Sequence, residues 1–376
     1  MDITVILVVV VVTALAFDFT NGFHDTANAV ATSIATGALK PRTAVLIAGI
    51  LNLVGAFLSV QVAKTISSGL VDDTKITPTV IFAGLVGAIV WNLLTWLVGL
   101  PSSSSHALIG GLIGATVVAA GADAVKFAGL LGKVLLPAVL SPIIAGIIAL
   151  IATHLAYRIT ARAAQGTVAK GFKLGQIVSG SMVALAHGTN DAQKTMGVIT
   201  LTLITAGALP ADAGPPFWVI LSSGLAIALG TYAGGWRIIH TLGRRVSEIQ
   251  TAQSFTSGTS TAAVILTSSH LGFPLSTTQV ATGAVVGAGA GRGAASVRWG
   301  LAGQVAVGWL LTLPAAALVG ALAAWAAITG PVGMIIVAVV LVGISGGIYA
   351  VSRRRPVTPD NVNETPAAPP PANLVA

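Results

Sequence analysis

The chain is a succession of apolar segments, many of them near or beyond the ~20 residues a helix needs to cross the hydrocarbon of a bilayer. They fall at about 3–38 (interrupted), 43–63, 79–100, 105–121, 127–157, 174–207, 216–236, 259–271, 276–290, 299–328 and 331–351. With 8% charged residues and a mean hydropathy of +0.91, the sequence is too continuously apolar for a soluble domain. The segments lack the alternation of barrel strands. The expected fold class is therefore an all-α polytopic membrane protein with about 10–12 membrane segments. The opening MDITVILVVVVVTALAF has neither a basic start nor a small-residue cleavage pattern, so it reads as a retained segment. Cysteine is absent, which excludes disulfides and thiolate chemistry.

A net charge of +8 would suggest nucleic acid in a soluble protein, but here the basic residues lie between apolar segments. They gather at Lys40/Arg42, Arg158/Arg162/Lys170/Lys173, Arg237/Arg244/Arg245, Arg292/Arg298 and Arg353–Arg355, whereas the loops near Asp72/Asp73, Asp212 and Pro331 are neutral or acidic. The positive-inside rule places the basic set in the cytoplasm. The first segment then runs inward and the segment beginning near Lys173 runs outward.

Those two oppositely directed segments resemble each other. HDTANA (24–29) answers to NDAQKT (190–195), aligning Asp25 with Asp191, and PSSSSHALIGGLIGA (101–115) answers to PLSTTQVATGAVVGA (274–288). Ser103-Ser104-Ser105-His106 aligns with Ser276-Thr277-Thr278-Gln279, and Gly110 and Gly114 align with Gly283 and Gly287. The organisation read from this is a first inverted repeat over 1–157, a basic cytoplasmic linker at 158–173, a second repeat over 174–351, and a Pro/Ala-rich disordered tail at 352–376. Inverted repeats with broken helices and re-entrant hairpins are the pattern of secondary transporters, whose sites lie at the repeat interface near the midplane. Helices are expected to unwind at the polar motifs.

A carboxylate at membrane depth costs at least ~2.5 kcal/mol on insertion scales and needs a proton, a cation or a basic partner. For Asp25 and Asp191 a cation or proton is the preferred reading, with Asn28 and Asn190 adding carbonyl oxygens. The alternative for Asp191 is an ion pair with Lys194 one turn later. Asp18 is expected near the outer interface. The hydroxyl runs resemble N-caps of half-helices, and two facing helix N-termini with hydroxyl donors suit a tetrahedral oxyanion. His24, His106 and His187 offer titratable groups for a proton relay, and Gln193 and Gln279 could touch a substrate. SSSSH has no nucleophile elbow, and one active site would not explain duplicated motifs, so an intramembrane hydrolase is disfavoured and no enzyme is expected. No phosphate loop for nucleotide occurs.

GFHDTANAVATSI and ALAHGTNDAQKTMGVI, with the two hydroxyl-rich motifs, resemble the Pit-type inorganic phosphate transporters, particularly bacterial members, over roughly 15–350. The resemblance implies a multi-pass protein of the cell inner (plasma) membrane and secondary active phosphate symport by alternating access. It implies phosphate binding by Ser103, Ser104, Ser105, Thr277 and Thr278, to which the aligned motif residues add Ser276 and Gln279 as candidates. It implies cation or proton coupling by Asp25, Asn28, Asn190 and Asp191, with Asp25, Asn28 and Asp191 as metal ligands if sodium drives transport, and His24 joins this set by its own titratable ring. Where the family signature reads like GANDVANA, this chain has Phe23 and His24, and the second copy has Gln193 and Lys194 where the first has Ala27 and Asn28. Imidazole at position 24 removes a hard-cation ligand and adds a titratable group, which tilts coupling toward protons over sodium. No cofactor is expected beyond the co-transported ion, with a divalent metal–phosphate complex left open. The partners expected are inorganic phosphate and the lipid bilayer, with room for a homodimer and none for nucleic acid. A sulfate permease of the same fold is the alternative.

Overall fold

The computed structural model describes residues 2–244, 250–293 and 297–363, which are almost wholly helical. The helices are α1 (Ile3–Ala35), α2 (Pro41–Gly55), α3 (Gln61–Ser68), α4 (Pro78–Val98), α5 (Ser104–Ala120) and α6 (Phe127–Thr160). They continue as α7 (Gln165–Thr205), α8 (Phe217–Ala233), α9 (Trp236–Arg244), α10 (Thr251–His270), α11 (Thr277–Arg292), α12 (Trp299–Ala327) and α13 (Pro331–Ser352). Among the described residues, α1, α4, α6, α12 and α13 are long and apolar enough to cross a membrane, and α8 and α9 reach the same measure only when taken together, as a pair bent by 68°. Other segments fall short of that measure for a physical reason. α7 carries Asn190, Asp191, Gln193 and Lys194 on fully buried positions, so its surroundings are protein and not lipid.

The distribution of polarity is inverted relative to a water-soluble protein. Leu310, Leu318, Leu322, Trp325, Val339 and Val342 stand exposed on α12 and α13, while Asp18, Asn21, His24, Asp25 and Asp191 are buried. That is the arrangement lipid demands: apolar atoms outward, polar atoms paired within.

α1 and α7 lie against each other in opposite directions. Gln176 bonds Thr36, Gly180 abuts the carbonyl of Ala29, and Asn21 reaches Asp191, so the chain ascends one helix as it descends the other. The remaining packing repeats about the same centre. α8 and α9 pack on α1 as α2 and α3 pack on α7, and α5 packs on α12 as α11 packs on α6. The aligned glycines make this possible. A β-carbon at Gly110 or Gly114 would meet the carbonyls of Leu313 and Ala317 at 2.4 and 2.0 Å, and one at Gly283 or Gly287 those of Pro142 and Gly146 at 2.3 and 2.0 Å. Backbone-to-backbone contact of this kind is what small residues permit between membrane helices.

Several details differ from the sequence reading. α1 is continuous through GFHDTANA, as is α7 through its copy. The polar side chains find partners across the helix interface, and Thr26 and Thr189 bond the carbonyls of Gly22 and Leu185 one turn back, so nothing requires unwinding. The breaks come elsewhere: between α2 and α3, at Gly234 between α8 and α9, and at Gly99 and Gly272 before the hydroxyl motifs, where φ is +69° and +75°. Of the linker expected at 158–173, residues 158–160 end α6 and residues 165–173 begin α7. Of the tail, residues 353–363 pack instead of straying: Val362 is buried, Arg237 donates to the carbonyls of Ser352 and Arg355, and Asn363 reaches that of Ile34. Tail residues 364–376, and Arg245 of the basic set, lie outside the described residues.

Candidate functional site

Each hydroxyl motif follows a glycine that ends the preceding helix, then an X-Pro step that cannot remain helical, and so delivers a helix N-terminus to the centre of the molecule. Ser103 caps α5 by accepting from the His106 amide at 3.1 Å, and Ser276 caps α11 by accepting from the Gln279 amide at 3.3 Å. The capping role read from the sequence therefore holds at both positions, and it commits these two side-chain oxygens. The two N-termini meet. Ser105 Oγ donates to the Leu275 carbonyl at 3.0 Å, and Gln279 Nε2 lies 3.4 Å from His106 Nδ1.

Three hydroxyls from these termini converge on one carboxylate. Ser104 Oγ donates to Asp25 Oδ2 at 2.7 Å, Thr277 Oγ1 lies 3.2 Å from the same oxygen, and Thr278 Oγ1 lies 3.2 Å from Asp25 Oδ1. Thr277 also stands 3.3 Å from Asp191 Oδ2, so one hydroxyl links the aspartates of the two repeats. Asn28 Nδ2 steadies this pair from below, 3.0 Å from Thr278 Oγ1 and 3.4 Å from Thr277 Oγ1. His24 Nδ1 is 2.5 Å from Asp25 Oδ1, and its Nε2 faces Thr95 and Ser102 at 3.2 and 3.4 Å.

The second copy is wired differently. Lys194, fully buried, bonds Asp191, Ser105 Oγ at 2.5 Å and the Leu275 carbonyl at 2.9 Å. The ion pair that the sequence left as an alternative for Asp191 is thus present. His187 Nε2 lies 3.2 Å from Asp191 Oδ2, off the hydrogen-bond axis, and its Nδ1 meets Asn52 at 2.9 Å. Asn190 points away from the aspartates, donating to Ser269 at 2.9 Å. Gln193 accepts from the Val62 and Ala63 amides at 2.8 and 3.3 Å and so caps α3.

The geometry therefore brings together Asp25, Asp191, His24, Asn28, Ser104, Ser105, Thr277 and Thr278, and sets Asn190 and Gln193 aside for tertiary contacts. Asp25, His187 and Asp191 offer ligand atoms within 4.8 Å of one another, a set able to hold a cation. Asn21, Asn52, Thr95 and Ser102 were missed. Asn52 sits alone in an otherwise apolar run, which is the signal that could have found it, and Ser102 opens the same hydroxyl run as Ser103–Ser105; Asn21 and Thr95 join the site only through helix contacts.

The sequence model of the phosphate transporter family matches residues 21–320. A protein of Mycobacterium bovis described as a probable low-affinity inorganic phosphate transporter is 55% identical over 95% of this chain and 87% of its own length. Its counterpart in Bacillus subtilis, described in the same words, is 43% identical over 86% of this chain and 98% of its own. Among solved structures, one described as the sodium-dependent phosphate transporter superposes with a TM-score of 0.78 at 26% identity, covering 85% of this chain and 98% of that one.

Proposed function

This chain belongs to the phosphate transporter family, a family of multi-pass membrane transporters and not of enzymes, and from that premise we propose that it is a secondary active symporter of inorganic phosphate. The observation that carries the coupling is the cluster of hydroxyls bonded to Asp25. A serine or threonine hydroxyl has one proton to give. While Ser104, Thr277 and Thr278 donate to an ionised Asp25, they have no proton left for an anion, and phosphate approaching them meets carboxylate charge besides. A cation or proton taken up at Asp25 cancels that charge and lets the three hydroxyls turn toward a tetrahedral oxyanion. The amides at the N-termini of α5 and α11 and the Lys194 ammonium then add positive potential on the same side. Anion binding thus waits on cation binding, which is the thermodynamic content of symport.

The His24 imidazole on Asp25 favours a proton as that cation, with sodium ligated by Asp25, Asn28 and Asp191 as the competing case. Lys194 beside Asp191 disfavours a resident divalent metal, because its charge repels one; a metal travelling with phosphate would be cargo. A phosphate monoanion or dianion can be met by a carboxylate that accepts its hydroxyl proton, which sulfate at neutral pH lacks. Alternating access would carry the site across as one repeat rocks against the other.

The deciding experiment is uptake of radiolabelled phosphate into proteoliposomes under an imposed proton gradient or an imposed sodium gradient, with excess sulfate as competitor. Accumulation driven by the proton gradient, indifferent to sulfate and abolished in Asp25→Asn, is expected. Downhill equilibration insensitive to either gradient, or normal accumulation by Asp25→Asn, would refute symport through this site.

A further inference from the structure

Asp18 is fully buried, and neither of its carboxylate oxygens has a hydrogen-bond partner among the described residues. The sequence suggested an interfacial position; the fold encloses it, two turns outward from Asp25 on α1. Its surroundings are unpartnered in the same way. Asn21 follows by one turn on the same helix face, with Oδ1 free of any bond while its Nδ2 reaches Asp191. His24 on α1 meets Thr95 on α4. α1 and α4 run in the same direction, since Ile6 and Val80 line one cleft at their starts, and this register puts Asn92, one turn before Thr95, at the level of Asn21, one turn before His24. Both amide atoms of Asn92 are buried and unpartnered. From α7, the Thr195 hydroxyl lies against Asp18 outside hydrogen-bond geometry and is likewise unpartnered.

We propose that Asp18, Asn21, Asn92 and Thr195 form a second cation site, distinct from the Asp25–Asp191 centre and specific for a monovalent hard cation of sodium's size. The donor set is two carboxylate oxygens, two amide carbonyls and one hydroxyl, the oxygen environment hard cations take. Charge selects the valence. Lys194, the fixed cation nearest this region, already serves Asp191, Ser105 and the Leu275 carbonyl, so Asp18 needs one positive charge and a divalent ion would leave an excess in a low-dielectric interior. Geometry selects a cation over a proton. A proton on Asp18 bonds one further oxygen, whereas a central cation satisfies all of them together. Because Asn21 spans from this site to Asp191, occupancy here also fixes one wall of the main centre.

The test uses the purified full-length chain without phosphate and measures saturable binding of 22Na+ by scintillation proximity. Asp18→Asn should lower the number of sodium ions bound by one, and Asn92→Ala should raise the dissociation constant at least tenfold. Potassium and magnesium should compete poorly. Should Asp18→Asn misfold, Asn92→Ala alone decides. Unchanged stoichiometry and affinity in the folded variants, absence of saturable sodium binding in the parent chain, or equal competition by magnesium would each overturn the proposal. The assay contains no anion, so it stands or falls separately from the phosphate reading.

Discussion

Replacing Lys194 by methionine removes a buried ammonium from between Asp191, Ser105 and the Leu275 carbonyl. The carbonyl keeps a partner in Ser105, so the loss falls on Asp191, which retains His187 Nε2 at 3.2 Å, off the hydrogen-bond axis, and long contacts to Thr277 at 3.3 Å and Asn21 at 3.4 Å. Leaving one buried charge uncompensated costs about 3–5 kcal/mol. Asp191→Asn, which strands the lysine, should cost a similar amount. The double variant carries no charge at either position and should lose only hydrogen bonding and packing, about 1–2 kcal/mol. Independent effects would sum to about 6–10 kcal/mol, so the cycle predicts a coupling energy of at least about 4 kcal/mol, beyond the top of the usual range for residues in contact. Equilibrium unfolding of the four purified proteins in mixed micelles measures it. A double variant as unstable as the sum of the singles, to within about 0.5 kcal/mol, would refute the ion pair as the neutraliser of Asp191.

Ser104→Ala and Thr277→Ala each delete a hydroxyl donor at the meeting of α5 and α11, and should raise the KM for phosphate by about tenfold per lost bond to a charged group, read from proteoliposome uptake. An unchanged KM in both would remove the hairpin hydroxyls from the anion site. Gly287→Ala places a β-carbon 2.0 Å from the Gly146 carbonyl oxygen, backbone that cannot turn aside. Forcing α11 from α6 should cost about 1–3 kcal/mol or more. Gly346→Ala, with nothing within 4 Å, should be neutral or slightly stabilising; equal unfolding midpoints for the two would contradict the close approach.

Much of the architecture was readable from residue order because it rests on local chemistry. Segment length against bilayer thickness announced a membrane protein, and the paired motifs at 101–115 and 274–288 announced a duplication whose glycines and caps the structure uses alike in both halves. Asp25, Asp191 and the hydroxyls betrayed themselves by being expensive where they lie. What residue order could not say was who satisfies whom. The Lys194–Asp191 pair was one of two readings that helix spacing left open; that Lys194 also reaches Ser105 and the Leu275 carbonyl, that Thr277 stands between the aspartates of both repeats, that Asn190 and Gln193 turn away to brace Ser269 and α3, and that Asp18 is enclosed all follow from helices remote in sequence being pressed together. The same contacts explain why α1 and α7 remain unbroken where unwinding was expected. A backbone need not open to offer polar groups when neighbouring helices already supply them, and whether they do is a property of packing across the repeat interface, which no single segment encodes.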